Sequence, residues 1–442
     1  MTESCCRPRR AFILLASLTA ALLLLPAIPA QAADAGFRGH GGPVRALAIS
    51  PDGSLAISGS FDQSAIIWNI NQASAMNVLR FHEGAVNAVA AMSDRRFVTG
   101  GEDGRIALWQ AGETTPLATF QEHKEPIVAL AVSPDEQAIA SASWDETVSV
   151  RSLKDGALRI YKGHRGNVNA AGFLPDGRLV SAGYDGTVRI WPKDRDADSA
   201  DLVVTLASPL NALVVSPDGE IATAGADGVI RILRADGTVR ASVETQEAPT
   251  IALALSSDGA KIATAAMGGT VTIIDRGAAK VLLQVPGNRQ PIWSVAFRSG
   301  SNELLTGGSD RLVRRWDATT GAPIGERSDS ASTDMLSEFS GDRGAELFRA
   351  CVACHTLKRD AENRAGPSLN HVFGRRIAIA PGYNFSPALK KLDIVWNAET
   401  IGKLFEIGPS RYTPGTKMPE QTIENSSDRD ALVKFLEKAT KD

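Results

Sequence analysis

The chain has 442 residues, enough for two to four domains with full apolar cores. Apolar residues make up 43% and charged residues 22%, with 40 Gly and 22 Pro, which excludes collagen-like and wholly disordered chains. A formal net charge of −3 gives no basic footprint, so no nucleic-acid partner is expected.

The first segment reads as an export signal. Arg7, Arg9 and Arg10 precede an almost unbroken apolar run from Ala11 to Leu25, and Ala30-Gln31-Ala32 offers a small-x-small cleavage site. Cleavage is expected after Ala32, with delivery to the periplasm and no membrane insertion afterwards. The alternative is an uncleaved anchor, against which Pro26 and Pro29 interrupt the stretch before about 20 helical residues accumulate. Arg9-Arg10-Ala11-Phe12 weakly resembles a twin-arginine signal, so the export route stays open. Cys5 and Cys6 leave with this segment, and the mature chain keeps Cys351 and Cys354. Exported proteins ordinarily spend cysteines on disulfides, but a pair this close cannot staple a large fold, and His355 follows directly.

From Gly36 to about Arg327 the chain repeats. Its turn residues are Asp62, Asp103, Asp145, Asp185, Asp227, Gly268 and Asp310, with gaps of 41, 42, 40, 42, 41 and 42. A period near 41, built of short alternating strands with Gly/Asp turns, signals a radial β array whose units cannot bury their own faces alone. Seven units should close into a ring over 33–327. These residues resemble the WD40 family, whose repeat has a Gly-His turn, a Ser-Pro-Asp-Gly hairpin, a Ser/Thr four before the turn Asp and a Trp six after it. His40, His82, His123 and His164 hold the first slot in four units. Trp68, Trp109, Trp191 and Trp316 hold the last, while Arg151, Leu233 and Ile274 replace it elsewhere. The Ser/Thr slot is filled seven times, by Ser58, Thr99, Ser141, Ser181, Thr223, Thr264 and Thr306. A nucleophilic triad of His40, Ser58 and Asp62 is the catalytic alternative. In the resembled family these groups bond to one another and to the Trp within a blade, so partial copies around the ring read as architecture. The outer strand of the last blade could come from Ala322 to Arg327 or from Ala33 to Arg38. The Ser/Asp-rich stretch from Glu326 to Ser340 reads as a tether, placed at 328–340.

Cys351-Val352-Ala353-Cys354-His355 is the attachment sequence for c-type haem. Two thiols three positions apart on a turn each add across one vinyl group, and the adjacent imidazole reaches the iron. A zinc site would need a second cysteine pair, and a redox dithiol would not require His355. One covalently attached haem c with its iron is therefore expected. For the second axial ligand, the chain downstream of His355 offers Met418 and His371. Met418 is preferred, because Pro414, Gly415 and Pro419 restrict its loop, while His371 is expected on a surface loop.

Residues 341–442 closely resemble a class I, mitochondrial-type cytochrome c, an all-α fold. The match rests on Gly344 and Phe348, Gly366-Pro367-Ser368-Leu369, Phe373-Gly374-Arg375-Arg376, Trp396 and Pro414 to Met418. The resemblance implies that the Pro367 carbonyl orients His355, and that Arg375 and Trp396 hydrogen-bond a buried haem propionate. Two family tyrosines are replaced, one by Leu404 or Phe405 and one by Phe385. Leu432, Phe435 and Leu436 form an i, i+3, i+4 stripe for the closing helix. Lys390, Lys391, Lys403 and Lys417 could form a basic docking rim.

The expected whole is an all-β seven-bladed propeller followed by an all-α cytochrome domain. Its expected function is one-electron transfer with protein redox partners, the propeller serving as docking scaffold. Residues 341–442 hold 16 Lys/Arg against 13 Asp/Glu, and 33–340 hold 28 against 36, so the two modules could also dock on each other. An oxidoreductase with a substrate or second cofactor on the propeller, and a haem-based redox sensor or scaffold, are the alternatives.

Overall fold

The repeat period becomes seven four-stranded antiparallel sheets. The computed structural model describes residues 36–193, 199–245, 249–285, 290–325, 336–339, 341–348, 351–352, 355–357, 366–383, 385–416, 418 and 422–441. The expected signal segment, Cys354, Lys417 and most of the expected tether lie outside them.

In blade 1 the strands Val44–Ile49, Leu55–Ser60, Ala65–Asn69 and Ser74–Leu79 pair in chain order, from the ring centre outward. Blades 2 to 6 repeat this over 86–121, 127–162, 168–205, 210–244 and 250–285. The second strand of a blade is covered on both faces by its neighbours, so Leu55–Ser60 is buried at every position and is written in small and apolar residues. Apolar clusters accordingly sit between blades: Val44 and Trp68 of blade 1 pack with Phe37, Leu305 and Val313 on the neighbouring sheet.

Blade 7 settles how the ring closes. Ile292–Phe297, Glu303–Gly308 and Val313–Asp317 come from the end of the repeat array, and Gly36–Phe37 pairs antiparallel with the last of them. Pro323 bridges Trp316 further along the same edge. The outer strand is thus shared between the two segments left as alternatives above, joining the N-terminal stretch to the end of the array by backbone hydrogen bonds.

The repeated polar residues satisfy one another inside each blade. In blade 1 the Trp68 indole N–H donates to Ser58 Oγ at 2.7 Å, and Ser58 lies 2.7 Å from His40 Nε2. His40 Nδ1 meets Asp62 at 3.0 Å. A carboxylate only accepts, so Nδ1 carries the proton and Nε2 accepts from the serine hydroxyl. The same chain runs through Trp109, Thr99, His82 and Asp103, and through Trp191, Ser181, His164 and Asp185. Ser58 is 0% and His40 1% exposed, so this triad arrangement has no room for a substrate.

Where the tryptophan is missing, the polar chain is rebuilt or broken. In blade 3 Ser141 bonds Ser149, and the buried Glu122 carboxylate accepts from Ser149 at 2.5 Å and from Arg151 at 2.6 Å. Arg151 therefore stands in for the indole through an acid that sequence reasoning had not paired with it. In blade 5, which lacks both His and Trp, the buried Thr223 hydroxyl has no hydrogen-bond partner among the described residues.

In the C-terminal region α1 (Arg343–Phe348) crosses α5 (Ser426–Ala439), with α2 (Pro387–Lys390), α3 (Ala398–Ile407) and α4 (Pro409–Tyr412) between them in sequence. A Cβ on Gly344 would sit 2.2 Å from the Ala431 carbonyl oxygen, so only glycine allows this crossing. Phe348 and Phe435 fill the space beside it, with ring centroids 5.4 Å apart. Asn397 caps α3 by accepting from the Thr400 amide, while the Thr400 hydroxyl accepts from the Asn397 amide. This core also reaches into the stretch assigned to the tether: Leu336 is buried in it, and Phe339 meets Phe435 edge-on at 5.1 Å. The apolar pair Leu336 and Phe339 has the spacing of one helical turn, and that explains the earlier start.

Candidate cofactor site

Cys351 follows α1 and is buried against the helix-crossing core, where burial pushes its thiol up to about 11. It lines a cleft of about 1310 Å3 together with His355, Pro367, Arg375, Trp396 and Met418.

The His355 imidazole is fixed from two sides. Its Nδ1 lies 2.8 Å from the Pro367 carbonyl oxygen, which can only accept, so Nδ1 donates and Nε2 keeps its lone pair for a metal. Gly366 lies flat against the ring: a Cβ there would fall 2.4 Å from Cε1. Any larger residue would push the imidazole from its position. Met418 is half-buried, packs against the same core and lines the cleft, its amide donating to Thr416 Oγ1 at 3.1 Å. His371 instead is exposed on a turn with φ of 50°, outside the cleft, as the sequence led one to expect.

Arg375 donates to the carbonyl oxygens of Ser368 at 2.7 Å and Asn370 at 3.0 Å. It makes no ion pair with a carboxylate among the described residues, and burial pulls its guanidinium below the ordinary value. A desolvated cation facing the cleft fits a cofactor that brings its own carboxylates. Trp396 is half-buried on the same wall, and its backbone amide donates to the Arg375 carbonyl at 2.9 Å. Haem fits this set: a buried thiol, an imidazole of fixed tautomer, a thioether, an apolar wall and an unpaired cation share one cleft. Cys354 lies outside the described residues.

Leu404, Phe405 and Phe385 all line the cleft where the family tyrosines were expected to be absent. Sequence reasoning missed Tyr383, which lines it too and meets Phe385 edge-on at 4.7 Å, so the cleft keeps a phenol. Its position two residues before Phe385 was the available signal. It also missed a contribution from the propeller: Asp62, Ser64 and Arg80 line the cleft too, and the Arg80 guanidinium lies 5.3 Å from the Tyr383 ring centroid. Of the expected basic rim, Lys390 and Lys391 are exposed, and Lys403 is paired with Glu399 at 2.6 Å.

Comparison with known proteins agrees with this geometry. The family described as Cytochrome c matches residues 341–440. A cytochrome c of Cochliobolus lunatus is 41% identical over 100 residues, covering 22% of this chain and 92% of the relative. One of Arabidopsis thaliana is 38% identical over 109 residues, covering 24% of this chain and 96% of the relative. The chain belongs to the cytochrome c family. Cytochrome c carries covalently bound haem c with its iron, and this domain does so as well. The WD domain, G-beta repeat, matches 34–69, 74–110, 114–152, 156–192 and 279–317. The unmatched stretch holds blades 5 and 6, which lack both the His and the Trp of the blade network yet keep the four-stranded sheet. The molecule is thus a WD40 propeller joined to a cytochrome c domain, an arrangement for electron transfer beside a protein-interaction scaffold.

Proposed function

We propose that this protein is a periplasmic, single-haem electron carrier whose propeller selects the protein with which it exchanges electrons. Cys351 and Cys354 would hold the porphyrin through thioethers, with His355 and Met418 as axial ligands. The observation that carries the reading is the convergence of Met418 and a tautomer-fixed His355 on one cleft. When bound, haem supplies a one-electron ferric/ferrous couple, and a second protein ligand leaves no coordination position for a substrate.

The chain's own residues do the rest. Pro367 holds the His355 proton on Nδ1, Gly366 fixes the ring plane, and Phe348, Leu404 and Phe405 keep water from the cleft. Arg375 and Trp396 would receive a haem propionate, which would supply the carboxylate that Arg375 lacks. Arg80 and Tyr383 support a docked arrangement of the two modules.

The test is mass spectrometry and redox titration of the exported protein. The expected product begins at Ala33 and carries the added mass of one haem. Met418→Ala should keep that mass, lose the sulfur–iron absorption of the oxidised form and titrate at lower potential. An exported product without porphyrin mass, or an unchanged spectrum in Met418→Ala, overturns the reading.

A further inference from the structure

In all seven blades the innermost strand pair skips one residue of register, for example between Val44 and Ala46 and between Ile292 and Ser294. The skipped residue is a bulge, which re-aims a side chain out of the regular alternation. The bulge residues are Arg45, Asn87, Val128, Asn169, Asn211, Ile251 and Trp293, and all seven line one central cleft of about 1210 Å3.

This ring is electrostatically one-sided. The module around it carries more acid than base, yet the cleft lining holds Arg45 and no Asp, Glu or Lys. The Arg45 guanidinium lies 5.4 Å from the Trp293 ring centroid and has no hydrogen bond or ion pair among the described residues. Burial pulls it below its ordinary value. On the next blade, Asn87 is also without a hydrogen bond among the described residues. On the preceding one, the buried Ser294 hydroxyl lines the cleft without a hydrogen-bond partner among the described residues. By contrast, Asn169 and Asn211 are committed to structure, their amides donating to the carbonyls of Leu210 and Thr250 at 2.9 Å. Beside Arg45 on blade 1, unused polar groups thus lie on the two adjacent blades, 7 and 2, while Asn167 by blade 4 is a further lining side chain without a hydrogen bond among the described residues. Exposed aromatic rings, Phe61, Trp144 and Tyr184, lie in the turns just before Asp62, Asp145 and Asp185, and the last two line the same cleft.

We propose that the central cleft binds an acidic segment of a protein partner, with Arg45 and Asn87 receiving an Asp or Glu carboxylate and the aromatic rim packing on its apolar neighbours. A desolvated guanidinium without a counter-ion is costly, and a carboxylate restores the balance. The aromatic rim supplies the large rigid contacts that dominate protein interfaces. This assignment rests on the propeller being a docking scaffold and names what it docks.

The test is a selection of randomised octapeptides displayed on phage against the full-length, haem-loaded protein, in parallel with Arg45→Gln. Enriched peptides should share one Asp or Glu flanked by apolar residues. A capped synthetic peptide from that set should bind about thirtyfold or more weakly to Arg45→Gln. Its Glu→Gln counterpart should lose a similar factor, with little further loss when both changes are combined. Arg45→Lys should recover part of the affinity, and unchanged haem spectra and melting show that the variants are folded. Enriched peptides without an acidic residue would overturn the assignment while leaving the docking scaffold intact. Acidic peptides that bind Arg45→Gln undiminished overturn it as well, as does displacement by free glutarate at the peptide's own concentration. Failure to enrich any peptide counts against both.

Discussion

Seven buried hydroxyls occupy the same slot in seven blades, yet they are worth different amounts, because a hydroxyl stabilises only when its partners are present. Thr99 accepts from Trp109 at 3.0 Å and lies 2.8 Å from His82, whereas Thr223 has neither residue type beside it. Thr99→Val should cost about 1–3 kcal/mol, by stranding two buried polar groups, while the isosteric Thr223→Val should be neutral or stabilising. Urea denaturation of the two variants checks the contrast. The Ser/Thr slot of the WD40-like repeat marked both positions equally, and it was the absent His and the Leu233 in the Trp slot that already separated them in the sequence. Glu122 shows the opposite case: nothing in its sequence position distinguishes it from a surface acid, but the fold buries it between Ser149 and Arg151.

Each element is held by groups whose protonation the fold sets. In the blades, burial opposes the charge on Asp145 and Asp185, but hydrogen bonds from neighbouring Thr and His side chains and backbone amides outweigh it, holding both carboxyls down to about 2. Burial pulls His164 below its ordinary value, against the attraction of Asp185. All three folded values are depressed, so all three contributions are present at neutral pH and are lost on acidification. His164 starts to weaken the blade as pH falls below about 6.5, and the two aspartates act between about pH 4 and 2. The urea midpoint should therefore fall in two stages, and His164→Gln should flatten the first. Among the helices, Gly344→Ala should cost about 1–3 kcal/mol by pushing α1 off α5, and should lower the fraction of chains that acquire haem. Pyridine haemochrome absorbance per unit protein measures that fraction.

At the scale of the whole molecule, two joints hold parts that lie far apart in sequence. The first is blade 7, whose outer edge takes Gly36–Phe37 against Arg314 and Val313. Removing residues 33–38 should leave that edge open and lower the cooperative melting temperature of the propeller, read by calorimetry, with the haem absorption still present. The second joint is Arg80 over Tyr383, both lining the haem cleft. If the opposite net charges of the two modules favour this contact, raising the salt concentration should speed reduction of the protein by a small external reductant. Arg80→Ala, which takes the cation from the Tyr383 ring, should show the faster rate already at low salt.

Periodicity alone made the ring legible, since a 41-residue repeat of short strands cannot bury its faces except by stacking on its neighbours. The attachment sequence at Cys351 made the cofactor legible in the same way, because thioether spacing is a local property of five consecutive residues. Met418 could be named because few alternatives lay downstream, and its turn-rich setting is also local. Tertiary structure alone decided what depends on contacts between distant segments. It divided the closing strand of blade 7 between both ends of the array, paired Glu122 with Arg151, and brought Tyr383 and Arg80 to the haem cleft. It also turned seven unrelated-looking bulge residues into one ring with a single unpaired cation. A sequence displays periodic and contiguous patterns directly, whereas register skips and contacts across blades exist only once the chain has closed on itself.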